Sequence, residues 1–191
     1  MLDERGLDTF TVDEVARRSG VSKATIYKHW AGGLDVAAEA YGDRVTGEVP
    51  VVATGNVVDD LAGQIARLGE FYASPRGRVV ADLLAASARR EDGTAVLREK
   101  FFARRRADTA SLIEQGKANG QLRADLDTEL AIDLLFGAIV FRLFNGLGAL
   151  DAVGTAALSL MALRAIVADP EWTGSRSSGS CLKAQATVGV D

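Results

Sequence analysis

Between residues 11 and 30 an alanine, a glycine and two apolar residues fall at the spacing of two helices joined by a tight turn. Ala16 lies four positions before Gly20, Val21 follows the glycine, and Ile26 lies six beyond it. Two short helices crossing at a tight turn need this pattern. The small alanine lets the helices approach, the glycine permits the turn, and the apolar pair Val21 and Ile26 stitches helix to helix. Thr11-Val12-Asp13-Glu14 fits a capping box, with the Thr11 hydroxyl on the amide three residues on and Glu14 reaching back. Val12, Val15 and Ala16 follow at helical spacing and are expected to face inward. Ser19-Gly20-Val21 reads as the turn and Ser22 as the cap of the next helix, in which Ile26 and Trp30 share one face. Gly32-Gly33 breaks that helix, and another is expected from about Asp35.

The chain carries a net charge of -4, yet no Asp or Glu occurs between Val15 and Leu34, where Arg17, Arg18, Lys23 and Lys28 all lie. A locally positive helix in an acidic chain suits phosphates and base edges. The spacing alone fits an ordinary helical hairpin with a solvated basic face equally well.

Beyond the hairpin the pattern stays helical. Hydrophobic residues make up 48% of the 191 and aromatics 6%, with three prolines, so helix is favoured over strand. Residues 1–5 read as the tail of a helix that Gly6 ends. The stretch 46–57, with Pro50 and two glycines, reads as a loop between modules. Helical patterns then cover 58–73, 77–91, 94–119, 127–147 and 152–168. The pattern at 94–119 is amphipathic, whereas 127–147 is apolar on most sides and needs more cover than its own layer supplies. Residues 171–191 have Gly/Ser character, no period, and are expected to be disordered. Asp133, Arg142 and Asn145 interrupt the apolar region 130–150, which argues against a membrane span. No signal peptide is evident, so a cytoplasmic protein is expected. Cys181 is the only cysteine and His29 the only histidine, so neither a disulfide nor a His/Cys metal set is expected, and no cofactor.

The run Gly20-Val-Ser-Lys-Ala-Thr-Ile-Tyr-Lys-His-Trp30, with the preceding segment from Leu2, resembles the DNA-binding region of the tetracycline-repressor (TetR) family of bacterial regulators. Residues 94–168 are similar, more weakly, to a C-terminal ligand-binding and dimerisation module of that family. The resemblance implies an all-α fold: an N-terminal helix-turn-helix DNA-binding module at 1–45 with its first helix cut short, a linker at 46–57, and a helical-bundle regulatory and dimerisation domain at 58–168. A tail at 169–191 follows. It also implies roles. Ser22, Lys23, Ala24 and Thr25 open the recognition helix and reach base edges. Tyr27, Lys28 and His29 serve mainly phosphates, and Thr11 touches the backbone at the start of the preceding helix. Lys can donate to guanine, Thr can touch a thymine methyl, and a Tyr hydroxyl can donate to phosphate. The implied partners are a double-stranded operator, a small-molecule effector and a second copy of the chain, with no membrane partner. Where the family often has Pro-Ser-Lys after the Trp, this chain has Ala31-Gly32-Gly33, leaving only backbone amides for that phosphate.

Two other readings fit some of the residues. The shortened first helix suits a DNA-binding-deficient partner that sequesters a full-length regulator. A helical-bundle enzyme would use Asp82, Glu91 or Arg104–Arg106, but no nucleophile, metal set or phosphate loop accompanies them, and no enzyme is expected. The arginine run itself reads as a solvated helix face, with the alternative that one arginine turns inward to meet an acidic ligand. Phe71, Tyr72, Phe101, Phe102, Phe136, Phe141 and Phe144 read as mostly core, some of them as cavity lining.

Overall fold

Hydrogen-bonding side chains at the helix starts set the architecture of the computed structural model, which describes Leu2, Leu7 and residues 10–174. Thr11 accepts from the Glu14 amide and opens α1, Val12–Ser19; Ser22 accepts from the Thr25 amide and opens α2, Lys23–His29. Helix α3 runs Gly33–Glu48. Asn56, Ser74, Asp127 and Asp151 cap α4 (Val57–Ala73), α5 (Pro75–Ala88), α8 (Thr128–Phe144) and α9 (Ala152–Ile166) in the same way, satisfying amides that helix starts leave unpaired. Between α5 and α8 the chain forms a short α6 (Gly93–Val96), a π-helical segment (Leu97–Phe102) and α7 (Ala103–Ala118).

The observed helices follow the expected periods closely, with two differences. The single helix expected over 94–119 is divided by the π segment, whose extra residue per turn rotates everything after it. Helix α3 also begins two residues earlier than expected and continues to Glu48. Leu2 is helical and buried, while Gly6 and residues beyond 174, most of the expected tail, lie outside the described residues.

One core runs through the bundle. Leu61, Ile65, Leu83, Phe101, Ile113, Leu135, Leu163 and Ile166 are all almost fully buried in it. Helices α4 and α9 pack closely because Gly69 leaves room for Thr155, whose Cγ2 lies 2.9 Å from where a Cβ would stand. Side chains tie the ends. Gln121 accepts from the Val57 amide at 2.7 Å and donates to the Gly55 carbonyl at 2.8 Å. Residues 121–123 pair with 166–168 through an isolated antiparallel bridge, Leu122 opposite Val167. The Asp60 carboxylate holds Thr54 by amide and hydroxyl, at 2.8 and 2.7 Å, and so shapes the loop before α4.

Helix α3 is the element that joins the hairpin to this bundle, and its main contact is the π segment. A Cβ at Gly42 would stand 2.8 Å from the Lys100 carbonyl oxygen and 3.1 Å from Phe101 Cα, both backbone atoms. The contact therefore requires glycine. Beside it Lys100 pairs with Glu39 at 2.8 Å. Replacing Gly42→Ala is expected to push these backbones apart and cost about 1–3 kcal/mol, the usual cost of overpacking. Denaturant unfolding measures it, and a loss below a few tenths of a kcal/mol would show that the junction yields freely.

Candidate nucleic-acid interface

Helices α1 and α2 form the hairpin anticipated at 11–30. Gly20 closes α1 with φ of 73°, a left-handed conformation natural to glycine, and its amide donates to the Ala16 carbonyl at 3.0 Å. Ile26 is 2% exposed and anchors α2 inward. Val21, expected to share that task, is instead 41% exposed. It sits in the turn outside α2, so its side chain does not follow the helix period that turns Ile26 inward.

The residues assigned to the recognition face all reach solvent. Thr11, Ser22, Lys23, Ala24, Thr25, Tyr27, Lys28 and His29 are each exposed. Four of their polar groups also have local duties. Thr11 is occupied as the α1 cap, and the Ser22 and Thr25 hydroxyls are 2.8 Å apart and share a proton contact. Lys23 pairs with Asp13 at 2.8 Å, so the acids of α1 reach toward a stretch that contains none. Both partners are more than half exposed, and such pairs contribute little, so Lys23 is readily surrendered to another acceptor. Lys28 has no ion pair among the described residues. The His29 ring meets Trp30 edge-on, with centroids 5.6 Å apart. Trp30 is half-buried, in keeping with a packing role.

The start of α3 is less open to a phosphate than its glycines suggest. The Ala31 amide donates to the buried Asp35 carboxylate at 2.7 Å. Gly33 lies against Phe10, a Cβ there standing 3.2 Å from the Phe10 carbonyl oxygen. Farther along α3, Lys100 of the π segment pairs with Glu39 at 2.8 Å and holds its carboxyl below the usual carboxylate range.

Inside the bundle α4, α5, the π segment, α7 and α8 surround a cavity of about 700 Å³. Leu68, Leu84, Leu97, Phe102, Ile132 and Phe136 give it a largely apolar wall. Exposed Thr94, Arg98, Glu129 and Asp133 mark an open side. The three consecutive arginines point three ways. Arg104 is exposed near Asp43 at 3.8 Å, while Arg106 binds Glu129 and, at 2.7 Å, Asp133 at the rim. Arg105 turns inward and lines the cavity. Its Nη1 is buried without a hydrogen-bond partner, and burial lowers its affinity for its proton, countered by Tyr72 and Asp108. Tyr72, also on the wall, is buried, which pushes its phenol up. Of the aromatics singled out in the sequence, Phe102, Phe136 and Phe144 line the cavity with Tyr72, Phe71 and Phe101 are buried in the core, and Phe141 is exposed.

Residues 1–33 match the bacterial regulatory proteins of the tetR family, and residues 51–167 match the tetracyclin repressor-like C-terminal domain. The chain belongs to the TetR family. It is 38% identical to the HTH-type transcriptional regulator YdeS of Bacillus subtilis (strain 168) over 75% of this chain and 72% of that protein. It is 29% identical to the HTH-type transcriptional regulator AqdR of Rhodococcus erythropolis, over 77% and 70% of the two chains. The crystal structure of the TetR family transcription regulator SCO0332 superposes with a TM-score of 0.77 at 31% identity, covering 85% of this chain and 90% of that one. As a TetR-family member the chain is a DNA-binding transcriptional regulator, all-α, with its helix-turn-helix at the N-terminus.

Sequence reasoning did not single out Gln64, Thr109 or the π segment, which bound the cavity. Gln64 and Thr109 are polar residues on core-facing positions of their helices, and that mismatch was the available signal. For the TetR hairpin the most local dependence is on Ser22, because α2 spans seven residues and its cap fixes a large share of it. Ser22→Ala is expected to cost about 0.5–2 kcal/mol, and Ser22→Gly only a few tenths. Amide exchange over 23–29 and denaturant unfolding check this, and equal losses in both variants would remove the cap from the argument.

Proposed function

We propose that the chain is a ligand-released repressor that binds a palindromic operator as a homodimer in the cytoplasm. Residues 1–45 act as the DNA-binding module, 46–57 as linker and 58–168 as the ligand-binding and dimerisation domain, with 169–191 as a tail. The observation that carries the DNA reading is α2, which presents Lys23, Ala24, Thr25, Tyr27, Lys28 and His29 to solvent from one short helix free of acids. Ser22, Lys23, Ala24 and Thr25, at its N-terminal end, are placed to meet base edges. Tyr27, Lys28 and His29, with Thr11 at the start of α1, are placed to meet phosphates. In a two-fold dimer the two α2 helices would enter successive major grooves, about 34–36 Å or a multiple apart.

The dimer reading is supported by one apolar face. Leu130, Leu134, Phe141, Phe144 and Leu147 on and after α8, with Val153 and Met161 on α9, are 47–67% exposed. So many exposed large apolar residues on two neighbouring helices are unusual on a monomer, and a two-fold contact would cover them with their own copies. Release follows from the α3 junction. Leu97, Arg98 and Phe102 of the π segment line the cavity, while the backbone of the same segment lies against Gly42 of α3. A ligand that favours a wider cavity displaces the π segment, and α3 carries that displacement to the hairpin. The ligand must bind the released conformation better than the operator-bound one, since equal affinity for both shifts nothing.

Two variants test the halves of this reading. Lys28→Ala is expected to weaken binding to all DNA alike and to reduce the slope of log affinity against log salt by roughly 1. An unchanged slope in a salt titration removes Lys28 from the phosphate contacts. Met161→Glu leaves the protomer intact, because Met161 is 63% exposed within one chain. In the dimer it buries two uncompensated carboxylates at a cost of several kcal/mol each. The expected result is a folded monomer by sedimentation that has lost most of its operator affinity. A Met161→Glu dimer of normal affinity would move the interface elsewhere.

A further inference from the structure

Away from its open, charged side the cavity wall is apolar except for Ser87, which donates to the Leu84 carbonyl, and one cluster in which Arg105 has no salt bridge among the described residues. Gln64 on α4 is 2% exposed. Its Nε2 donates to the Thr109 hydroxyl at 2.9 Å, and that hydroxyl donates in turn to the Arg105 carbonyl at 2.9 Å. The Thr109 proton is therefore committed, and the Gln64 amide cannot turn round without facing oxygen to oxygen. Gln64 Oε1 is held as an acceptor and has no partner, as Arg105 Nη1 has none among its possible acceptors. Tyr72 completes the cluster, close enough to Arg105 to interact with its charge. The carboxylates that could neutralise Arg105 are engaged elsewhere. Glu129 and Asp133 at the rim hold Arg106 and Asp43 lies by Arg104, while Asp108, one turn along α7, favours the Arg105 charge from a distance without forming a salt bridge to it among the described residues. A guanidinium nitrogen buried without a partner beside an apolar wall is costly unless an acceptor meets it, and an anion that does so gains charge-assisted hydrogen bonds.

We propose that this cavity takes an apolar molecule bearing one anionic head group, and that Arg105 is the residue that reads the head. The inference rests on the reading of the cavity as a small-molecule site and names the class of its ligand. The apolar body lies along Leu68, Phe102, Ile132 and Phe136. The head meets the Arg105 guanidinium, and Gln64 Oε1 accepts from any N–H or O–H donor next to it. A volume of about 700 Å³ is in the range of sites that enclose drug-sized ligands. Cationic ligands are disfavoured by Arg105, and a neutral ligand leaves its charge unmet.

The test uses two fluorescent probes with one skeleton, 8-anilinonaphthalene-1-sulfonate and N-phenyl-1-naphthylamine, which share the anilino N–H and differ in the sulfonate. Both are titrated into the 191-residue chain, into its Arg105→Met variant, and into Arg104→Gln as a control at an exposed position. Arg105→Met is expected to weaken the sulfonate at least about tenfold, as loss of a buried charge partner does. The neutral probe should change by less than about threefold and Arg104→Gln should match the parent, the usual outcome for an exposed charge. Arg105→Met removes an unmet buried charge, so its melting temperature is expected to hold or rise. An arm without variants compares octanoate with octan-1-ol in displacing the neutral probe from the parent protein, with the acid expected to be effective at no more than about a tenth of the concentration. Parallel loss of both probes in Arg105→Met, no loss of either, or an alcohol as effective as the acid overturns the anionic head. Binding of neither probe overturns the proposal together with the cavity as a small-molecule site. Operator binding with and without octanoate, measured separately, decides the regulatory reading: selective acid binding without change in operator affinity keeps the ligand class and removes release by ligand.

Discussion

The backbone contact between α3 and the π segment is the constraint on which the rest of the molecule depends. Helix α3 starts beside the recognition hairpin and ends in the bundle. Its hold on the bundle is a place where two backbones touch. Gly42 has nothing to move out of the way, and the atoms it meets, the Lys100 carbonyl oxygen and Phe101 Cα, cannot choose another rotamer. Lys100 fixes the register from the other side through Glu39. A contact of this kind transmits displacement well. Packed interiors respond to a shift by moving as units, since close-packed side chains leave little slack to absorb it.

The π segment owes its part to the same geometry. It turns Phe101 into the core and Phe102 toward the cavity, two rings in edge contact at 4.8 Å between centroids. It also sets the rotation at which α7 leaves. Successive residues on a helix point about 100° apart, so three in a row spread over about 200° of its circumference. Helix α7 is packed by α4, α8 and the π segment, so that on it Arg104 faces solvent, Arg106 the rim and Arg105 the cavity. The structure brings in Arg105, the inward arginine that the sequence left as the lesser alternative.

What the sequence made legible was local. Thr11, Ser22 and Gly20 act through groups within four residues of themselves, so the hairpin could be placed by inspection, as could the helix spans after it. The residues misread or missed act across the fold. Val21 was assigned to the hairpin core by its apolar character, but whether an apolar turn residue is covered depends on what packs over the turn. Gly42 sits inside a helix where glycine is ordinarily a liability, and only the nearness of residues 100 and 101 explains it. Gln64 and Thr109 are partners across 45 positions, and no periodicity joins them. A π turn has no sequence signature comparable to a cap, because its hydrogen bonds are made by the backbone.

Helix α8 shows why an excess of apolar residues had to be read as two surfaces. Its inward side supplies Ala131, Leu135 and Ile139 to the core, and Ile132, Phe136 and Val140 to the cavity wall. Its outward side leaves Leu130, Leu134 and Phe141 to solvent within one chain. A single stripe would serve one of these and leave the other polar. Phe144, at the C-terminal end, belongs to both, since it lines the cavity and is 51% exposed. In the proposed dimer the helix that contacts the partner is therefore also a wall of the ligand site. The cavity faces the π segment and α3 on one side and α8 on the other. On the proposed reading, a ligand entering it would act on the hairpin attachment and on the subunit contact at once, and the separation of the two recognition helices would depend on both.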